Sequence, residues 1–266
     1  VKISTNRFPG GQAKALTFSY DDGVDHDRRL VDIFNRYKMR ATFHLVSGSL
    51  DQPGYLRSDE VQELFRGHEI SGHSVNHPHL TMLDSESLVS EVWNDRNRLE
   101  QLVGYPVKGL SYPYGSYNDE VVRVISSLGM DYARTARCTG NFTMPDDFLR
   151  WEPTCHHDDD LFGKAERFLQ EERGDSMLLF YVFGHSHDFD YKDNWELIER
   201  FCSHMAGHPD IWFATNYEIV SYQKAIRQLE FSSSRDIIHN PSAQSVWISV
   251  DGQSVELVGG RTTRLS

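Results

Sequence analysis

Two hydrophobic rhythms alternate along this chain. Short, β-prone apolar runs such as 41–46 (Ala-Thr-Phe-His-Leu-Val) and 176–183 are followed by segments whose apolar residues recur every three or four positions. The series opens with Leu16-Thr-Phe-Ser-Tyr-Asp-Asp-Gly23, an apolar strand that runs straight into two carboxylates and a glycine. Helical spacing follows over 25–38, where Leu30, Ile33, Phe34 and Tyr37 share a face. A short helix over 58–65 is expected, with Ser58 as its N-cap and Val61, Leu64 and Phe65 on its buried side. A third strand over 68–72 then runs into His73-Ser-Val-Asn-His77-Pro78-His79.

The rhythm continues with a long helix over 84–103, whose apolar face is Leu88, Val92, Leu99 and Val103, closed by Gly104. The segment 106–110 leads into Ser111-Tyr-Pro-Tyr-Gly115, then a helix over 118–128 and a strand over 131–135. Residues 136–160 are loop-rich. Helices over 161–172, 194–205 and 217–228 alternate with strands over 176–183 and 211–214. About seven such alternations predict an α/β fold, a parallel sheet with helices outside, either a barrel or a doubly wound sheet. Both architectures place functional residues where strands end. The Asp-Asp-Gly, His-x-x-x-His, Tyr-Pro-Tyr-Gly and Gly-His-Ser-His segments all follow predicted strands, so they converge on one face.

From Phe231 the helical period disappears. Residues 246–250 and 255–258, joined through Asp251-Gly252, read as a hairpin. Two segments are expected: a main domain over 1–230 and a small β appendage over 231–266 packed on it.

Composition narrows the function. The formal net charge of −12 leaves no basic surplus for a nucleic-acid partner or an anionic membrane surface. No apolar run reaches the ~20 residues of a spanning helix. Residues 1–10 lack the apolar core of a signal peptide. Cys138, Cys155 and Cys202 form neither a disulfide framework nor a Cys-based zinc site, and an odd count leans towards a reducing, cytoplasmic compartment. Oligomeric state is open.

The chemistry lies in the histidines and carboxylates. Asp-Asp-Gly alone describes a turn, and two histidines in a polar loop describe exposed side chains. Together, two imidazoles and a carboxylate make a common first shell for a divalent metal, with Asp22 as the carboxylate for His73 and His77. Pro78 disfavours helix at His77, so an irregular turn with converging imidazoles is expected. His185, closing the most continuous apolar strand, suits a general acid, with His187 or Asp188 as its orienting partner. His156-His-Asp-Asp-Asp160 is a tempting second metal cluster. The preferred reading is a polar loop in which Asp159 or Asp160 caps the helix at Leu161, with one histidine free to line the site.

In this order the segments resemble the NodB-type polysaccharide deacetylases, carbohydrate esterase family 4, over roughly 14–225. Thr17-Phe-Ser-Tyr-Asp-Asp-Gly23 is similar to the family's first motif, which implies Asp21 as catalytic base and Asp22 as metal ligand. His73-Ser-Val-Asn-His77 matches the second in full and implies both histidines as ligands. The third motif usually begins with an arginine that steadies the base; here it reads Ser111-Tyr-Pro-Tyr-Gly115. Its tyrosine, Tyr114, is implied as the backbone donor to the oxyanion. Arg150, in Arg150-Trp-Glu152 where a fourth motif should lie, is expected to supply the missing cation to Asp21. Leu178-Leu179 through His185 resembles the fifth motif and implies His185 as the acid.

The resemblance implies a distorted (β/α)7-type barrel. It further implies a metal-dependent hydrolase removing N-acetyl or O-acetyl groups from an amino-sugar or polysaccharide, with Zn2+ as default and Ni2+ or Co2+ as substitutes. Tyr112 and Trp151, with Trp195 and Tyr114, are expected as flat walls for sugar rings. Three rivals stand beside this reading: a non-haem iron oxygenase, which the helix-rich alternation disfavours; a same-fold hydrolase of non-sugar amides; and a non-catalytic carbohydrate-binding protein.

Overall fold

The computed structural model describes residues 2–172, 174 and 176–265; Val1 and Ser266, which end the two expected segments, lie outside them. The architecture is organised on one long strand. After a short edge strand β1 (Ile3–Ser4), β2 spans Lys14–Asp22, and it is followed by β3 (Ala41–Leu45), β4 (Glu69–Gly72), β5 (Gly109–Ser111), β6 (Tyr132–Arg134), β7 (Cys155–His156), β8 (Leu178–Gly184) and β9 (Ile211–Phe213). The spatial order is β6-β5-β4-β3-β2-β8-β7, with every pairing parallel. Strand β2 is long enough to serve two neighbours on one edge. Lys14–Leu16 pair with β9, and Phe18–Asp22 pair with β3.

The two edges of this curled sheet meet through one segment. The Trp151 N–H donates to the Ala133 carbonyl and the Thr135 N–H to the Trp151 carbonyl, while Cys155 and His156 pair with Val182 and Phe183. This is the (β/α)7-type barrel implied above, distorted because its closure rests on a short, broken strand.

Side-chain alternation on β2 explains the layers. Leu16, Phe18 and Tyr20 join an outer apolar cluster with helices α1 (Asp27–Arg36), α5 (Leu161–Gln170) and α7 (Glu196–Met205), numbered in chain order with α2 (Val61–Leu64), α3 (Ser85–Val103), α4 (Asp119–Ser127) and α6 (Ser186–Tyr191). Thr17, Ser19 and Asp21 belong to the opposite, polar face. There Thr17 Oγ1 donates to Asn216 Oδ1 at 2.9 Å, and Thr42 Oγ1 and the Tyr132 hydroxyl donate to the Glu69 carboxylate. Burial lifts the Glu69 pKa to about 7 despite these donors.

The last helix, α8 (Asn216–Arg227), begins with a Thr215–Glu218 capping box. Beyond it, β10 (Glu230–Phe231), β11 (Ile237–Asn240) and β14 (Arg261–Arg264) form one antiparallel sheet, and β12 (Val246–Val250) and β13 (Gln253–Leu257) another, joined by β1. Asp251 and Gly252 both take positive φ, 48° and 85°, as the tight hairpin turn requires. Ile238, Val246, Ile248 and Leu257 pack against Ile219, Val220, Tyr222 and Ile226 of α8.

Two local expectations are corrected. Ser58 caps no helix: its N–H and hydroxyl are taken by Asp51 Oδ1, and α2 starts three residues later. The stretch between the strand over 176–183 and the helix over 194–205, where no element is expected, holds α6 with His185 as its N-cap residue.

Candidate active site

Strand β2 delivers Asp21 and Asp22 to the C-terminal mouth of the sheet on opposite faces of one strand. Asp21 is buried and Asp22 partly exposed. Asp22 has φ 84°, and so do Ser74, His77 and Tyr114 take left-handed values of 65°, 56° and 58°. Non-glycine residues there are strained by roughly 1–3 kcal/mol each, and such strain gathers where function over-determines geometry.

His73 follows β4, and His77 the irregular turn expected from Pro78. His73 Nδ1 lies 2.8 Å from the Ser111 carbonyl oxygen, which only accepts, so Nδ1 carries the proton and Nε2 presents its lone pair. The His73 and His77 Nε2 atoms are 3.0 Å apart, and Asp22 Oδ1 lies 3.6 and 3.8 Å from them. Ligands about a tetrahedral cation at 2.0–2.1 Å sit roughly 3.3–3.4 Å apart. The three donors therefore suit a divalent cation, and the crowding of two imidazole nitrogens has an evident purpose. Asp95, on the buried face of α3, accepts from the backbone N–H groups of Ser47 and His73 and so anchors this turn; burial lifts its pKa to about 7. A carboxylate between Val92 and Leu99 on an apolar helical face was the signal that could have found it.

The cation beside Asp21 is Arg134, not Arg150. Arg134 Nη2 donates to Asp21 Oδ2, and both side chains are almost fully buried. Arg150 instead pairs with Asp119 at 2.7 Å and with Asp147, near the surface, because it closes a short turn (Phe148–Arg150) whose side chain projects away from the mouth. Register explains the substitution. Ser111 of β5 pairs with Arg134 of β6, so the charge has moved one strand sideways. Ser111 still contributes: its Oγ donates to Asp21 Oδ1 at 3.1 Å and sits 2.6 Å from His73 Nδ1, linking the two side chains. Burial alone would raise the Asp21 pKa, but Arg134, helped by His73, His44 and His185, holds it well below the usual carboxylate range. An arginine closing an otherwise apolar strand at 131–135 was the overlooked signal.

His185 stands across the mouth, at the end of β8. Its Nδ1 is 3.4 Å from Asp188 Oδ2, one turn along α6. Burial pushes the imidazole down, yet Asp188, with Asp21 and Asp22, outweighs it and raises its pKa above the ordinary value. His187 is the weaker candidate partner: it stacks on His185 at 5.1 Å and offers no carboxylate. At the 156–160 loop, Asp160 caps α5 by accepting from the Gly163 N–H at 3.2 Å, as expected.

Tyr112 and Trp151 are not sugar walls. Both are buried, the Tyr112 hydroxyl donating to the Leu149 carbonyl and Trp151 packed edge-on against Tyr132, Phe148 and Tyr181. Trp195 is buried against Phe189. The exposed ring is Tyr114, 62% accessible, stacked on His79 at 4.1 Å and edge-on to His77.

The parallel barrel thus gathers two aspartates and three histidines at its C-terminal mouth. Residues 9–133 match the family model described as polysaccharide deacetylase. The chain is 31% identical over 122 residues to the peptidoglycan-N-acetylmuramic acid deacetylase PdaC of Bacillus subtilis, covering 45% of this chain and 25% of that protein. It is 29% identical over 119 residues to a peptidoglycan-N-acetylglucosamine deacetylase of Bacillus cereus, covering 44% of this chain and 54% of the relative. The chain thus spans a quarter to about half the length of these curated relatives. The solved structure of PdaC superposes with a TM-score of 0.52 at 20% identity, covering 82% of this chain and 95% of that one, a likeness of fold. No described helix is long and apolar enough to cross a membrane.

Proposed function

We propose that this chain is a metal-dependent deacetylase that hydrolyses N-acetyl groups on an amino-sugar polymer, with peptidoglycan and other acetylated glycans as the substrate class. The observation that carries the reading is the placement of the Asp21–Arg134 pair, through Ser111, directly against the Asp22, His73 and His77 donor set. Asp22, His73 and His77 would hold the cation, Zn2+ by default, which when bound supplies Lewis acidity to water and to a carbonyl oxygen.

The remaining work falls to this chain's own side chains. Asp21, kept ionised by Arg134, accepts the proton of the attacking water. The Tyr114 backbone N–H donates to the developing oxyanion, a contribution of about 3 kcal/mol for a well-placed donor. His185, kept protonated by Asp188, donates to the departing amine, giving acetate and a free amino sugar. Residues 1–230 carry the chemistry, and 231–266 form an appendage on it. The three unpaired thiols fit a reducing compartment, to be checked by fractionation.

The test is acetate release from N-acetylglucosamine oligomers and from peptidoglycan by zinc-reconstituted protein, with O-acetylated sugars and non-sugar amides alongside. Asp21→Asn is expected to lower kcat about 10²–10⁴-fold, and chelation to abolish turnover. Unchanged turnover in Asp21→Asn would sink the mechanism. A preference for non-sugar amides would move the substrate class.

A further inference from the structure

The loop after β7 holds a second group of donors, of which the reaction above uses only Asp188, as the partner of His185. His157 is completely buried, its ring stacked on Tyr20 and, at 4.2 Å, on Phe189. The chain leaves room for it: a Cβ on Gly184 would fall 2.0 Å from its Nδ1. Yet neither ring nitrogen has a hydrogen-bond partner. An unmade bond on a buried polar group is costly, so a ring clamped this firmly and left bare is unusual.

Its Nε2 is aimed at two carboxylates, 3.6 Å from Asp158 Oδ2 and 3.7 Å from Asp188 Oδ2. His156 lies between the same two oxygens, with Nδ1 3.3 Å from Asp158 and Nε2 3.5 Å from Asp188. One atom from each of the four residues falls within 4.8 Å of every other. With Nε2 as the donor of each ring, the imidazoles lie 3.5–3.7 Å from the carboxylate oxygens they face, close to the edge of a tetrahedron around a cation at about 2.0–2.1 Å.

From this geometry we infer that His156, His157, Asp158 and Asp188 form a second divalent-cation site, of the two-imidazole, two-carboxylate type that takes Zn2+ or Co2+. Lys192 now pairs with Asp158 through its exposed ammonium group. It stands where a cation's charge would be compensated, and it is free to swing into solvent when the ion enters.

Metal counting on the full chain decides the matter. Protein stripped with chelator is equilibrated with Zn2+ alone, and bound metal is measured after dialysis. Wild type is expected to retain two ions. His77→Ala should retain one, the His156→Ala/Asp158→Asn double variant should retain one, and the combination of all three none. Lys192→Gln should bind the second ion at least threefold more tightly, because a competing charge is gone. A single ion in wild type, lost in His77→Ala and kept in the His156/Asp158 variant, would overturn the inference while leaving the first site standing. A count that His77→Ala does not change would instead overturn the first site. Lys192→Gln is a surface change and answers the question even if the double variant fails to fold: an unaltered single ion in it counts against the site.

Discussion

The mouth of the barrel has two sides, built from the same residue types and finished differently. On the β2–β6 side, Asp21 and His73 are themselves partnered. Asp21 is bonded by Arg134 and Ser111, His73 by Ser111 and Asp95. On the β7–β8 side, Asp188 faces four imidazoles at 3.4–3.7 Å, and His157 is bare. The first side holds its charges through the protein's own hydrogen bonds. The second leaves donors pointed at a common centre. The difference teaches that histidine and aspartate content does not define a site; the partners of each ring nitrogen do.

The largest expected effect comes from breaking the finished side. Arg134→Met removes the arginine bonded to Asp21 and strands a buried carboxylate, so a destabilisation of about 3–5 kcal/mol is expected in urea unfolding. The pH dependence has a definite sign. Asp21's folded pKa is depressed, so the pair stabilises the fold above the unfolded carboxylate's pKa, and that stability is lost as pH falls through the lower, folded value. Without Arg134, burial dominates and the pKa rises. The acid limb of kcat/KM should therefore move to higher pH. An unmoved limb would show that Asp21 does not owe its ionisation to Arg134.

The second effect belongs to the other side. His185 owes its raised pKa to Asp188, which reverses the downward push of burial. A raised acid stays protonated to higher pH. Asp188→Asn should shift the basic limb of kcat/KM to lower pH, with a smaller stability change than Arg134→Met because Asp188 is partly exposed. A limb that stays in place would assign the acid to another group.

A third, smaller effect concerns substrate. Tyr114 and His79 present the stacked, exposed pair beside His77, so Tyr114→Ala should raise KM several-fold with less change in kcat, its backbone N–H being retained. Substitution of buried Tyr112 or Trp151 should instead cost about 3–5 kcal/mol of stability, the signature of core.

Much of this was legible before any coordinates. Strand–helix alternation gave the parallel sheet because each rhythm has its own period, and Asp251-Gly252 gave the hairpin because few dipeptides tolerate positive φ twice. Asp21, Asp22, His73, His77 and His185 were singled out because each lies at or just beyond the end of a strand, and the structure brings them to one mouth. What failed was pairing across strands. Nothing local in Ser111 says that its neighbour in register is Arg134, and nothing in Arg150-Trp151 says that the arginine turns outward while the indole turns in. Aromatic residues near motifs were read as walls because composition carries no burial. Asp188 was named, but its role needed the first turn of α6.

The smallest effect tests that failure directly. Arg150 and Arg134 are both arginines within hydrogen-bond reach of aspartates, and sequence alone favoured the former. Arg150's partners Asp119 and Asp147 are exposed, so water competes for every charge in the network. Exposed pairs contribute about 0–1 kcal/mol. Arg150→Ala should therefore change unfolding free energy by less than about 1 kcal/mol, and that change should shrink in high salt as screening grows. The pH profile of kcat/KM should stay where it is, because no charge near Asp21 has been altered. If Arg150→Ala moved the acid limb as Arg134→Met does, the two arginines would share the base, and the sideways transfer of charge from Ser111 to Arg134 would be only part of how this barrel keeps Asp21 ionised.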